Sequence, residues 1–257
     1  MESEIVLSLS SKLKDMEFKR SKLLTTNNFK TTKGEKYGYT TYIMYMSPYT
    51  DNSKGINLCS HASAGCAAAC LFKSGMGGMY KGVQNGRRNK SEWYLADRQD
   101  FLNTLDKEIS NIVKKHGKDN SKFAIRLNGT SDIRWEKLKV RDGKCLFELY
   151  PDVQFYDYTK NPNRFDGSMP NNYHLTFSRS ECNNADAMSI LAKGYNVAIV
   201  FNKLPETYNG YKVISGDESD LRFLDESGVI IGLKYKFATG KNADNKSAFE
   251  SGFAITI

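Results

Sequence analysis

The chain has 257 residues, 40% of them hydrophobic and 26% charged, with a formal charge of +8. That length suits one large α/β domain or two small ones with a real hydrophobic core, and the mix excludes disordered and collagen-like chains. No apolar run is long enough to cross a bilayer, and the N-terminus MESEIVLSLSSKLKDMEFKR lacks the basic stretch, apolar run and cleavage site of a secretory leader, so a cytoplasmic protein with no membrane contact is expected.

Residues 1–36 are polar and read as an N-terminal arm, with 37–257 as a single α/β domain. YGYTTYIMYMS (37–47) is rich in β-branched and aromatic residues and predicts a strand. A long cysteine-bearing loop follows. Phe101, Leu102, Leu105, Ile109, Ile112 and Val113 recur at helical spacing and predict a helix over 91–116, with Ser91 as its cap and Gly117 as its stop. Strands are predicted at KFAIRLNG (122–129), VQFYDYT (153–159) and YHLTFS (173–178). A short helix then turns Ala185, Met188, Leu191 and Ala192 inward and stops at Gly194, before the nearly all-apolar strand NVAIVF (196–201). YKVIS (211–215) and GVIIGLKYK (228–236) supply one or two more strands; 142–151 and 237–257 have no place in the scheme. Alternating strands and helices argue for βαβ units, and the expected fold is a partial or open (β/α) barrel of about six parallel strands, TIM-barrel-like, with a doubly wound sheet as the other possibility.

Hydrogen-bonding and charged residues follow each strand: Asn128 to Asp132, Asp157 to Lys160, Ser178 to Glu181, Asn202 and Lys203, then Gly216, Asp217 and Asp220. In parallel α/β folds these carboxyl ends share one rim and build the active site, although loops are polar for local reasons too.

Five cysteines is an odd number, and three of them lie within NLCSHASAGCAAAC as Cys59-x6-Cys66-x3-Cys70. In an intracellular chain that points to metal or redox chemistry rather than to a disulfide framework. Cys66 and Cys70 share a face of any helical turn. Three thiolates suit a [4Fe–4S] cluster with one iron left open, or a closed zinc site completed by His61, or they are simply buried thiols. Cys145 and Cys182 read as isolated. SGMGGMYKG (74–82) has neither Gly-rich nucleotide fingerprint and reads as a flexible turn. The +8 balance favours an anionic partner, either nucleic acid or a small molecule. Residues 71–90 carry Lys73, Lys81, Arg87, Arg88 and Lys90 without an acid, which reads as a solvated basic face or as a surface that contacts phosphate.

In order along residues 34–235, GEKYGYTTYIMYMSP, the cysteine loop, GVQNGRRNK, DRQDFLNTLDKEI, RLNGTSDIRWE, FYDYTK, NYHLTFSRSE and NVAIVF resemble the phage-encoded gene product 88 proteins, most specifically at RLNGTSDIRWE and YDYTK. The resemblance implies a phage origin and little chemistry. Some such relatives are labelled rolling-circle replication initiators. That mechanism needs a His-hydrophobic-His metal pair, which His61, His116 and His174 do not form. The order of first strand, three-cysteine loop and polar second-strand end also resembles radical S-adenosylmethionine enzymes, with the departure that their spacing is C-x3-C-x2-C. That resemblance implies Cys59, Cys66 and Cys70 on a cluster and Asn128, Thr130 and Asp132 on S-adenosylmethionine. Asp157, Tyr158, Lys160, Arg179 and Glu181 would then line the substrate side as acid–base or binding groups. The expected function is therefore a phage iron–sulfur metalloenzyme. The alternatives are a zinc-stabilised nucleic-acid-binding protein of phage DNA replication, and a degenerate barrel that binds without catalysis.

Overall fold

The computed structural model describes residues 18–26, 32–70, 80–237 and 245–257. Ten strands make one sheet: β1 (Leu24–Thr25), β2 (Tyr39–Met44), β3 (Lys122–Arg126), β4 (Gln154–Thr159), β5 (Tyr173–Ser178), β6 (Val197–Phe201), β7 (Thr207–Tyr208), β8 (Tyr211–Ser215), β9 (Ile230–Lys234) and β10 (Ala254–Ile255). Their order is β1-β2-β3-β4-β5-β6-β9-β8-β7, with β10 beside β6. β2 to β6, β9 and β8 run parallel, while β1 and β7 pair antiparallel at the two edges.

The expected TIM-like partial barrel is not formed. The sheet is open and mixed, with an antiparallel pair at each edge, and β9 inserts between β6 and β8 so that the winding does not continue toward closure. Among the described residues, helices are also too few for an outer ring. They are α1 (Thr32–Glu35), α2 (Ala64–Ala68), α3 (Lys81–Ala96), α4 (Arg98–Asp119), α5 (Leu146–Leu149), α6 (Asn184–Ala192) and α7 (Lys246–Glu250). Three of them sit in the single β2–β3 crossover, while β4 reaches β5 through only a 3-10 turn at Pro162–Phe165.

The pairing register sorts side chains onto two faces, because partners in register project the same way. Tyr42, Ile125, Phe155, Tyr173, Phe177, Val197, Ile199 and Ile230 share one face and belong to the main core with Phe101, Leu105 and Ile109 of α4. The opposite face carries Arg126, Tyr156, Tyr158, His174, Thr176 and Ser178, with Ala198, Ile231 and Leu233 beside them. Arg222, from the 3-10 turn Arg222–Leu224, is fully buried and pairs with Asp225 at 3.2 Å.

The helix expected over 91–116 is two helices that meet at Asp97. Its side chain accepts the Asp100 amide and so caps α4. Ser91 is therefore no cap; it is buried mid-helix with its hydroxyl accepting the Ser47 amide at 2.8 Å. α4 runs past Gly117 and stops at Asn120 in the left-handed region (φ 52°). α6 buries Ala187, Ile190 and Leu191, a different phase from the expected Ala185, Met188, Leu191 and Ala192. Of the expected arm, residues 1–17 and 27–31 lie outside the described residues. Leu23 and Leu24 are fully buried, their amides bonded to Glu108 beside edge strand β1. Most of the predicted turn 74–82 also lies outside the described residues. The unplaced 142–151 holds α5, and the tail supplies α7 and β10. No described helix is long and apolar enough to cross a membrane.

Candidate functional site

β5 pairs with β6 only through Phe177–Val197 and Ser178–Ala198; beyond that, β10 takes β5's place against Val200 and Phe201. Arg179 holds this insertion, its guanidinium donating to the carbonyls of Gly252 and Phe253. The C-terminal segment thereby brings Phe253 to the carboxyl ends of the strands, where a cavity of about 330 Å³ opens. Its wall includes Cys59, Cys66 and Cys70, the stretch Asn128 to Asp132, and Arg126, Tyr158, Lys160, Ser178 and Asp220.

The cysteine loop is fixed from several sides. Asn52 bonds Ile56 in both directions, Ser53 bonds Glu92 through its amide (2.6 Å) and hydroxyl (2.5 Å), and Arg88 donates to Asp51 at 3.0 Å, so the loop is docked on α3. Cys59 donates its amide to Asn57 and its thiol to the Thr130 carbonyl at 3.5 Å. The Thr130 hydroxyl in turn donates to the Met46 carbonyl at 2.5 Å. Burial pushes the Cys59 thiol up to about 12, against a lowering contact from the Tyr49 backbone, and Cys70, Asp132 and Cys66 add to the rise through their negative charge.

α2 carries Cys66. Ser63 caps it, accepting the Cys66 amide at 3.1 Å and donating to Glu181 Oε2 at 2.7 Å, while Glu181 Oε1 accepts the Gly65 amide at 2.7 Å. Burial raises the Glu181 carboxyl, but the bonds from Ser63 and the backbone outweigh it and hold it below its ordinary value. Glycine at position 65 leaves room for this clamp, because a Cβ there would lie 2.8 Å from the Glu181 carboxylate and push it aside. From below, Cys66 and Ala69 pack on the small cluster of Ala248, Phe253 and Ala254.

The RLNGTSDIRWE turn is organised by Asn128. Its Oδ1 accepts from the Ser131 hydroxyl (2.8 Å), the Ile133 amide (2.9 Å) and the Trp135 indole (3.0 Å). Its amide donates to Asp157 Oδ1 at 2.7 Å. Gly129 passes against β2: its amide bonds the Met44 carbonyl at 3.0 Å, and an added Cβ would sit 2.6 Å from that oxygen. Asp132 joins three segments. Its amide donates to Leu58 in the cysteine loop, Oδ2 accepts the Lys160 amide at 2.9 Å, and Oδ1 lies 3.3 Å from the Arg164 guanidinium.

Of the residues singled out from the sequence, Cys59, Cys66, Cys70, Asn128, Thr130, Asp132, Tyr158 and Lys160 all reach the cavity wall. Asp157, Arg179 and Glu181 do not. Asp157 lies on the helix-covered face, fully buried, bonded to Asn128 and to the Tyr173 hydroxyl, and burial pushes its carboxyl up to about 7 against the pull of Arg126 and those bonds. Arg179 and Glu181 position the C-terminal segment and α2. His61 is exposed, bonded to Ser60 at 3.0 Å and off the cavity wall that the three cysteines line. Among the described residues no three His, Cys, Asp or Glu side chains are gathered as ligands of a single ion. Cys145 is buried elsewhere and Cys182 is exposed. In the basic stretch, Lys90 is buried, Arg87 lies over the Tyr45 ring at 5.0 Å, and Lys73 is outside the described residues.

The cavity also uses residues that were not singled out. Arg126 lies 4.7 Å over the Tyr158 ring and pairs with Asp220 at 2.8 Å. Burial alone would lower its pKa, but the charges of Asp220, Tyr158, Tyr156 and Asp157 raise it. Its signal in the sequence was a lone charge within the apolar run Ala124 to Leu127, at a position alternate to Ile125. Phe253 had no such signal.

A sequence profile described as gene product 88 matches residues 16–253. No curated protein and no solved structure matches the chain.

Proposed function

We propose that this chain, which belongs to the gene product 88 family of phage proteins, is an iron–sulfur metalloenzyme whose Cys59, Cys66 and Cys70 hold a [4Fe–4S] cluster in the rim cavity. One observation carries the reading: three cysteines from one loop line the same cavity as the polar carboxyl ends of the parallel strands. A cluster takes each cysteine at a different iron, so it asks for thiols spread around a chamber rather than gathered on one point. Three ligands would leave the fourth iron open, in the same cavity that Thr130, Asp132, Tyr158 and Lys160 line. S-adenosylmethionine is the cofactor we assign there; an open-iron cluster would supply it with an electron. Thr130 and Asp132, between the thiols and Lys160, are the residues of this chain nearest in character to a cofactor cradle, and Tyr158 and Lys160 stand on the substrate side. Asn128, Asp157, Arg179 and Glu181 act by position.

Anaerobic purification tests this. The expected product is brown, with iron and acid-labile sulfide near equal amounts. A colourless protein with one zinc would replace this reading with the zinc-stabilised one, and a stable protein free of iron and zinc would leave a binding fold without a metal.

A further inference from the structure

The lining of the cavity is cationic beyond what its carboxylates balance. Lys33, Arg126, Lys160, Lys234 and Lys236 line the cavity with Asp132, Asp217 and Asp220. Each of those carboxylates is already engaged. Asp132 accepts the Lys160 amide and pairs with Arg164, Asp220 pairs with Arg126, and Asp217 accepts the Lys234 amide and lies 3.7 Å from Lys236. Lys160 is different. Its half-buried ammonium donates to the Ser178 hydroxyl at 2.6 Å and sits 6.0 Å from the Phe253 ring, and among the described residues no carboxylate lies within ion-pairing distance. An ammonium has three donors, and Ser178 accepts one. The remaining donors belong to a residue that lines the chamber, where a ligand can accept from them. Val200, Leu233, Tyr235 and Phe253 add an apolar and aromatic surface to the same chamber.

We propose that Lys160 and Ser178 form the head of an oxyanion subsite for a small organic anion. The ligand's carboxylate or phosphate sits on the Lys160 ammonium and its apolar or aromatic body lies against Val200, Leu233 and Phe253. This deepens the reading of the cavity as the working site by naming the ligand class, and it stands on residues other than the cysteines.

Calorimetric titration of the full chain with phenyl phosphate, phenylacetate and 2-phenylethanol tests it. At least one of the two anions binds about tenfold or more tightly than the neutral alcohol, the scale of one charge-assisted hydrogen bond, and the anion that binds better tells phosphate from carboxylate. Lys160→Met abolishes the preference, Lys160→Arg retains it, and Lys139→Met, an exposed lysine off the cavity wall, leaves it unchanged. Equal binding of all three probes, no binding of any, or an undiminished preference in a folded Lys160→Met protein overturns the subsite. Iron and sulfide are assayed on the same preparation. Iron without anion preference defeats the subsite alone, and anion preference without iron defeats the cluster alone.

Discussion

Glu181 ties the loop after β5 to the helix bearing Cys66, across 116 residues of sequence. Replacing it by Ala removes the acceptors of the Ser63 hydroxyl and the Gly65 amide, both at 2.7 Å. A hydrogen bond to a charged group is worth about 1.5–3 kcal/mol when water is kept out. Glu181 is half-buried and water re-enters the space it vacates, so the pair together contributes about 2 kcal/mol. If that energy is local to α2, amide exchange at Gly65 and Cys66 accelerates about thirtyfold in Glu181→Ala, while amides in β4 and β5 are unchanged. Glu181→Gln keeps one oxygen for the Gly65 amide and falls between. Gly65→Ala attacks the same contact from the other side, by pushing a Cβ into the carboxylate. Hydrogen exchange followed by mass spectrometry or NMR reads all three. Unaltered exchange at Gly65 and Cys66 in Glu181→Ala would refute the clamp, and acceleration spread evenly over the sheet would show a general stability effect instead.

Asn128→Ala deprives three buried or half-buried donors of one oxygen and should cost about 3 kcal/mol, lowering Tm by about 6–12 °C; a loss under about 1 kcal/mol would mean that the turn is held by other groups. Gly129→Ala forces a Cβ against the Met44 carbonyl, so it should destabilise by about 2 kcal/mol or more, whereas Gly86→Ala, at a helix position with open space around it, should not destabilise. Asp157 has its carboxyl pushed up to about 7 from an ordinary 3.8. Between those values the folded chain holds a proton that the unfolded chain has released, so stability falls as pH rises through that window, by about 4 kcal/mol in all, and is flat above it. Asp157→Asn removes this slope, and urea denaturation from pH 4 to 8 would show the two curves converging or crossing; parallel curves would contradict the assignment.

Much of the rim was legible because strand ends announce themselves. YHLTFS reads as a strand and forms one over the same residues, and the polar groups after β3 and β4 do meet at a cavity with the cysteine loop. What periodicity does not encode is strand order. Nothing in YKVIS or GVIIGLKYK says that the later strand inserts between the earlier one and NVAIVF, and that insertion is what turns the expected barrel into an open sheet. Nor does a two-residue strand leave a pattern, which hid both β1 and β10. Asp157 was read among the polar groups that follow its strand, on the substrate side, but it lies inside β4; Phe155, Tyr156 and Tyr158 are all aromatic, so the alternation that would have placed it under the helices is blurred. The break at Asp97 was obscured by apolar residues continuing on both sides of it, although Asp97 with Asp100 is the kind of start that a capped helix shows. Glu181 and Arg179 were picked out for their charge; only the fold shows that the one grips α2 and the other the C-terminal segment.

The central claim is that three cysteines hold one group between them, and iron content per chain after anaerobic reconstitution tests it most directly. Cys59→Ala, Cys66→Ala and Cys70→Ala should each lose most of the iron and its visible absorption, while Cys145→Ala and Cys182→Ala bind as much as the unaltered chain. Iron that survives the loss of any one of the first three, or that disappears equally with Cys182, would contradict it.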